Sequence, residues 1–206
     1  MKVLQRRFYE RDTIAVSKQL LGKYLVRKLN EGMIIGRIVE VEAYKGKDDP
    51  ASYAHRGLTA KSKPMFEHGG LAFIVPVHAY LCFNVTTEKR GIPGAVLIRA
   101  IEPVQGFEII KGNLEKENIK LIDGPGKLTR ALGITRDLNG LDLTKSKALF
   151  LCYPEVQEKF KVFCSSRIGV KGGENRQWRF YVKKRGNLAS KNSAVYEVTL
   201  FGSSRN

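Results

Sequence analysis

Cysteine, histidine and tryptophan are scarce in this 206-residue chain, at three, three and one. Cys82, Cys152 and Cys164 lie far apart, and their odd number argues against the disulfide framework of a small secreted domain. His55, His68 and His78 form no CxxC, HxxxH or HExxH pattern, which speaks against a zinc site. No apolar run has the length to span a bilayer, and the opening MKVLQRRFYERD lacks the apolar stretch of a secretory signal. Repeats and low-complexity linkers are missing too. One domain with a real core, monomeric, in the cytosol or at the nucleoid, is the expectation.

Acidic residues are outnumbered. Thirty-six Lys and Arg against twenty Asp and Glu leave a net charge of +16. The excess is spread along the chain, with local groups at Lys61/Lys63, Lys159/Lys161 and Lys183-Lys184-Arg185. A folded basic surface concentrates polyanions and suits a phosphate backbone; the plainer reading is a soluble basic protein.

Patterning predicts an α+β domain, mainly antiparallel curved sheet with peripheral helices. Asp12 or Thr13 caps a helix through Leu21, and Gly22 stops it. Lys23–Leu29 and Met33–Tyr44 form a hairpin about Asn30-Glu31-Gly32. Residues 45 to 70 make a long polar connection of the length that usually carries function. Leu71–Thr87 is β-rich, with Pro76 marking an edge or bend. Ala95–Ile101 is a strand, and Glu102-Pro103 opens a short helix to about Lys111. GPGKLTRALGI, 124 to 134, is a turn into a helix. Leu149–Tyr153, Val162–Ile168 and Trp178–Val182 are further strands, and 194 to 202 an added strand or docked tail.

RIVEVEAY, residues 37 to 44, is the most informative stretch. With a period of two, Ile38, Glu40, Glu42 and Tyr44 share one face, and Val39, Val41 and Ala43 the other. That sets two carboxylates beside a phenol in a basic protein. Arg99 stands alone in the apolar VLIRAIEP and calls for a carboxylate or ligand partner. The Gly-Pro-Gly turn before Lys127 can hold a phosphate on N–H groups and the lysine, or is an ordinary helix entry with a surface lysine. It is not a Walker A loop.

Taken together, LLGKYLVRKL (20–29), GRIVEVEAY (36–44), GAVLIRAIEP (94–103), GPGKLTRALGI (124–134), SRIG (166–169) and WRFYV (178–182) resemble the alkyladenine (3-methyladenine) DNA glycosylase family, as a divergent prokaryotic member. The resemblance covers about 8–187 of a single domain and leaves 188–206 as a C-terminal extension. It implies that fold, and a monofunctional enzyme that flips alkylated or deaminated purines out of double-stranded DNA and hydrolyses the base–sugar bond, without cofactor or metal. Glu42 then matches the general base, and Arg99 an arginine beside the attacking water. Tyr44 matches a ring that stacks on the flipped base. Tyr53 and His55 occupy the places of a histidine and a tyrosine, interchanged. Asn84 matches an asparagine that crowds the exocyclic amine of guanine. Val75, Pro76, Val77 and His78 replace a tyrosine-rich hairpin that stacks on the base and wedges into the duplex. Lys127 is placed at a DNA phosphate. Plainer readings stay open: exposed glutamates, a core-edge ion pair at Arg99, a turn-capping Asn84.

Two rivals accompany this reading. A nucleic-acid-binding protein of the same fold with little or no catalysis would account for the altered hairpin; the fold also resembles an RNA-binding C-terminal module of methionyl-tRNA formyltransferase. A metal-dependent nuclease would use Asp48, Asp49 and the two glutamates.

Overall fold

The structure, a computed structural model, describes residues 1–115, 120–156 and 158–182, and the backbone of 194–196. In chain order its strands are β1 (Tyr24–Leu29), β2 (Gly32–Tyr44), β3 (Ala72–Val77), β4 (Tyr80–Thr86), β5 (Ala95–Gln105), β6 (Ile122–Asp123), β7 (Leu149–Cys152), β8 (Val162–Ser165), β9 (Arg179–Val182) and β10 (Ala194–Tyr196). The helices are α1 (Arg6–Tyr9), α2 (Thr13–Leu20), α3 (Phe107–Leu114) and α4 (Pro125–Ala131).

Two long strands, rich in Ile and Val, organise the sheet. β2 and β5 pair antiparallel from Ile35↔Gln105 to Tyr44↔Ala95. β1 takes the other edge of β2 over residues 32 to 37, and β9 takes it over 40 to 42. From these the sheet widens to β7 beside β1, β8 and then β10 beside β9, and β4 with β3 beside β5. Every pairing is antiparallel.

The two faces differ. On one, Ile38, Val41 and Ala43 of β2 and Val96, Ile98 and Ile101 of β5 join the main core, with Leu20, Ile110 and Leu128 from the helices. Asp12 caps α2 by accepting the Ala15 N–H at 3.0 Å, and Gly22, at φ +77°, takes the left-handed turn that ends it. On the other face, Phe73, Val75, Cys82, Ala95 and Leu97 form a smaller cluster, covered by Ala54 and Met65 from the long 45–70 connection.

Two expectations fail for one reason, the length and irregularity of this central pair. No helix begins at Glu102-Pro103. β5 runs on to Gln105, since β2 still offers Arg37 and Gly36 as partners, and the helix waits until Phe107. Pro103 is tolerated beside a register shift near the strand end. The simple alternation of 37 to 44 breaks as well. Ile38 faces Ile101, yet Glu40 faces Ala100, leaving Val39 as an extra residue. Ile38 therefore sits in the core with Val41 and Ala43. The next step skips Arg99 on β5, so Val41 again faces Ile98.

All three cysteines are buried. Among the described residues no helix is long and apolar enough to cross a membrane. Lys183-Lys184-Arg185 and 197–202 lie outside the described residues; Ala194–Tyr196 pairs with β8.

Candidate active site

Beyond the bulge the alternation resumes, and Glu40, Glu42 and Tyr44 turn to the face opposite the main core. Glu42 is completely buried. Its Oε1 accepts the backbone N–H of Ile168 at 2.9 Å, and its Oε2 accepts the Tyr44 hydroxyl at 2.7 Å. Burial and the adjacent Glu42 carboxylate push the Tyr44 phenol far above its ordinary range, so it stays a donor.

Arg99 bridges the two glutamates. Its Nε donates to Glu40 Oε1 at 2.8 Å and lies 3.3 Å from Glu42 Oε1. Glu40 also accepts from Arg179 Nε at 2.7 Å. Burial opposes ionisation of Glu40, but the hydrogen bonds and charges of Arg179 and Arg99 outweigh it and hold the carboxyl below its usual value. Two cations thus flank Glu40, and Arg99 is shared between the glutamates, not paired with Glu42 alone. The extra residue in β5 is Arg99 itself, which frees it from a strand partner.

Cross-strand register carries the site outward. Arg179, Glu42, Leu97 and Asn84 stand opposite one another in a row across β9, β2, β5 and β4. Directly opposed residues project to the same side, so Asn84 shares the face of Glu42, about 10 Å away at two strand spacings. Its Nδ2 donates to the Phe73 and Cys82 carbonyls at 3.0 and 3.2 Å, which fixes the amide instead of capping a turn.

The long connection supplies Tyr53 and His55. The Tyr53 ring meets Phe73 edge-on, with centroids 6.3 Å apart, and the Lys61 ammonium lies 3.9 Å over it. Tyr53 thus places an exposed ring beside this face against the buried Phe73, and the hairpin contributes the aliphatic Val75 and Val77. His55 is exposed and donates Nδ1–H to the Lys47 carbonyl, since a carbonyl can only accept.

The four hairpin residues separate. Val75 is buried in the cluster on the site face and Val77 packs against it. Pro76 and His78 are exposed, His78 with φ +52° at the tip. Val75 is therefore not available to wedge. Tyr80, not singled out from the sequence, is 60% exposed and lies so close to Gly126 that a Cβ there would meet its ring at 2.8 Å. This brings the tip against the start of α4, where Lys127 is exposed and paired with Asp123 at 2.8 Å.

The pairing of Arg167 with Asp49 was also missed. Asp49 accepts two 2.7 Å hydrogen bonds from Arg167, and both side chains are fully buried. Arg167 donates further to the Ala43 carbonyl at 2.9 Å, with its guanidinium 4.6 Å from the Tyr44 ring centre and 5.3 Å from that of Trp178. Asp49 gave no sign of this in the sequence. Arg179, a lone cation among apolar strand residues, could have been found by the logic that found Arg99. Of the carboxylates invoked for a nuclease, Asp49, Glu40 and Glu42 are engaged by arginines. Among the described residues no three His, Cys, Asp or Glu side chains gather as a metal site.

A buried carboxylate, a phenol bound to it, arginines around both and an exposed tyrosine ring on a basic protein are equipment for hydrolysing a bond beside an aromatic group on a polyanion. The sequence comparisons agree with that class. Residues 7–186 match the family model described as methylpurine-DNA glycosylase (MPG). A protein of Carboxydothermus hydrogenoformans is 42% identical over 92% of this chain and its own whole length. Another, of Methanocella arvoryzae, is 45% identical over 89% of this chain and 94% of its own. A third, of Legionella pneumophila strain Corby, is 43% identical over 89% and 96%. All three carry the name "Putative 3-methyladenine DNA glycosylase". The chain belongs to the methylpurine-DNA glycosylase family. It is a DNA glycosylase, a DNA-binding repair hydrolase that acts on N-glycosyl bonds.

Proposed function

We propose that the protein is a monofunctional glycosylase that flips alkylated or deaminated purines, of the 3-methyladenine and hypoxanthine type, out of duplex DNA and excises them to begin base excision repair. The observation that carries this reading is the buried Glu42 carboxylate, held by Ile168 N–H and Tyr44 O–H beside Arg99. A carboxylate has about four acceptor positions, so these donors leave room for one water. Glu42 takes the proton of that water as its oxygen attacks the sugar C1′. The electron pair of the C1′–N bond leaves with the base, and for a cationic alkylated purine this neutralises the leaving group. Negative charge at Glu42 also favours the oxocarbenium-like transition state, and Arg99 orients the water.

The flipped base stacks on Tyr44, with Tyr53 toward the other side; each such contact contributes roughly 1–3 kcal/mol. Asn84, anchored two strands away, crowds the exocyclic amine of guanine and rejects the normal base. Pro76, Val77 and His78 fill the vacated stack, and Lys127 holds a phosphate. The cations around the site's carboxylates are arginines, which form no Schiff base, so the product is an abasic site without strand cleavage.

Duplexes carrying hypoxanthine, ethenoadenine or methylated purines, with and without EDTA, test this. The expected result is chelator-insensitive base release that Glu42→Gln lowers by about 10²–10⁴-fold while duplex binding persists. Normal release by Glu42→Gln, tight binding without release from any lesion, or nicks that a chelator suppresses would each overturn it.

A further inference from the structure

The general base proposed above is oriented by a backbone N–H, and that N–H belongs to a loop with no regular structure. Ile168 follows β8 in the segment Ser166-Arg167-Ile168-Gly169, and nothing in a loop fixes an amide on its own. What fixes it is the preceding residue. Arg167 is fully buried, closes on both oxygens of Asp49 at 2.7 Å, and donates to the carbonyl of Ala43, the residue between Glu42 and Tyr44. Asp49 is held in turn from the other side of the strand end. Its carboxylate accepts the backbone N–H groups of Lys45 and Ala51 at 3.0 and 3.3 Å. Two stretches 118 residues apart in sequence are thereby locked together beside the site.

We infer that Asp49 and Arg167 form a positioning clamp for catalysis: the ion pair holds Ile168 N–H on Glu42 and braces the Tyr44 ring. This rests on Glu42 being the base. The clamp meets the site at three points, namely the Ile168 amide, the Ala43 carbonyl and the face of Tyr44, so its loss would release carboxylate and ring together. A structural ion pair needs none of these contacts, and burying one gains little stability over apolar packing. The clamp also sets the charge around Glu42. The charged or titratable groups about that carboxylate are Glu40 and Tyr44 on β2, Cys82 on β4, Arg99 on β5, Arg179 on β9, and Arg167 with its counter-charge Asp49. Neutralising Asp49 alone leaves the Arg167 cation uncompensated, which favours the ionised form of Glu42.

The test compares Asp49→Asn with the double variant Asp49→Asn/Arg167→Gln in single-turnover excision of hypoxanthine across pH, with duplex affinity measured in parallel. Both variants are expected to lose about ten- to a hundredfold in maximal rate, as for a small misplacement of reacting groups, with affinity unchanged. In Asp49→Asn the acid limb of the rate profile moves to lower pH; in the double variant, which removes both charges, it returns to the wild-type position. An acid limb that stays put in Asp49→Asn, or affinity that falls as far as the rate, would overturn the clamp. Should Asp49→Asn fail to fold, the charge-free double variant decides: a wild-type rate sinks the inference. Glu42→Gln in the same assay separates the two ideas, because a fully active Glu42→Gln removes the base itself, whereas an inactive one beside unaffected clamp variants removes only the clamp.

Discussion

The Tyr44 hydroxyl donates to Oε2 of Glu42 at 2.7 Å from two places along the same strand. One side chain thus carries both the ring proposed to stack on the base and a proton-bearing oxygen held on the carboxylate. Tyr44→Phe separates these duties. It keeps the stacking face and deletes a hydrogen bond to a charged group worth about 1.5–3 kcal/mol. Single-turnover excision should slow by about tenfold or more with duplex affinity retained, whereas Tyr44→Ala should also lose retention of the flipped base, read by fluorescence of a base analogue. Equal behaviour of the two variants would refute the division.

Acid stability should depend on Glu40. Its carboxyl is held below the ordinary value of 4.5, despite burial, by Arg179 and Arg99. A depressed carboxyl contributes stability that is fully present above that value and lost as pH falls through the lower folded one. Chemical denaturation should find Glu40→Gln less stable than wild type at neutral pH. The gap should narrow as pH falls from 4.5 and close below the lower folded value, where Glu40 is itself protonated. A gap constant with pH would show that the pairs contribute nothing through ionisation.

Gly36 tests the packing of the central pair. A Cβ there would stand 2.4 Å from Cδ1 and 3.0 Å from Cβ of Ile101, in the main core. Gly36→Ala should cost about 1–3 kcal/mol by overpacking, seen as a lower Tm. No change in Tm would mean that the pair opens at no cost.

Lys127 and Asp123 form an exposed ion pair at the start of α4. If Lys127 meets a phosphate, Lys127→Ala should reduce the slope of log affinity against log salt by about one. Asp123→Asn should tighten duplex binding at low salt, because the lysine no longer has a competing anion. Titrations of undamaged duplex at several salt concentrations measure both, and an unchanged slope would remove Lys127 from the interface.

Much of this was legible in the primary structure, and the failures share a cause. Periodicity, caps and glycines placed α2, the first hairpin and α4 within a residue or two, because those signals are local. The solitary charge of Arg99 among apolar residues pointed correctly to a carboxylate. Pro103 misled, since its preference to open a helix is local whereas the pull of β2 on β5 is not. Ile38 misled because one extra residue, Val39, inverts the alternation, and nothing in RIVEVEAY marks a bulge. In the sequence Asp49 suggests only a ligand for a nuclease metal, and its pairing with Arg167 escaped: each is an ordinary loop charge until the fold brings them together. Phe73 escaped because its ring meets Tyr53, which the long connection brings in from outside the hairpin.

Two of the three irregularities of the central pair have a consequence for how this chain can vary in length. β2 carries one surplus residue at Val39 and β5 one at Arg99, and the pairing on either side is left in step, Ile38 with Ile101 and Val41 with Ile98. They behave as compensating insertions. Deleting Val39 alone would throw one flank a residue out of phase and turn either core isoleucines or site carboxylates to the wrong side. Deleting both would mend the phase but remove the arginine that joins the two glutamates. Spacing within these strands is therefore constrained as tightly as identity, and homologous enzymes that keep this carboxylate–arginine geometry should carry their gaps elsewhere, in the connections and not between Gly36 and Tyr44.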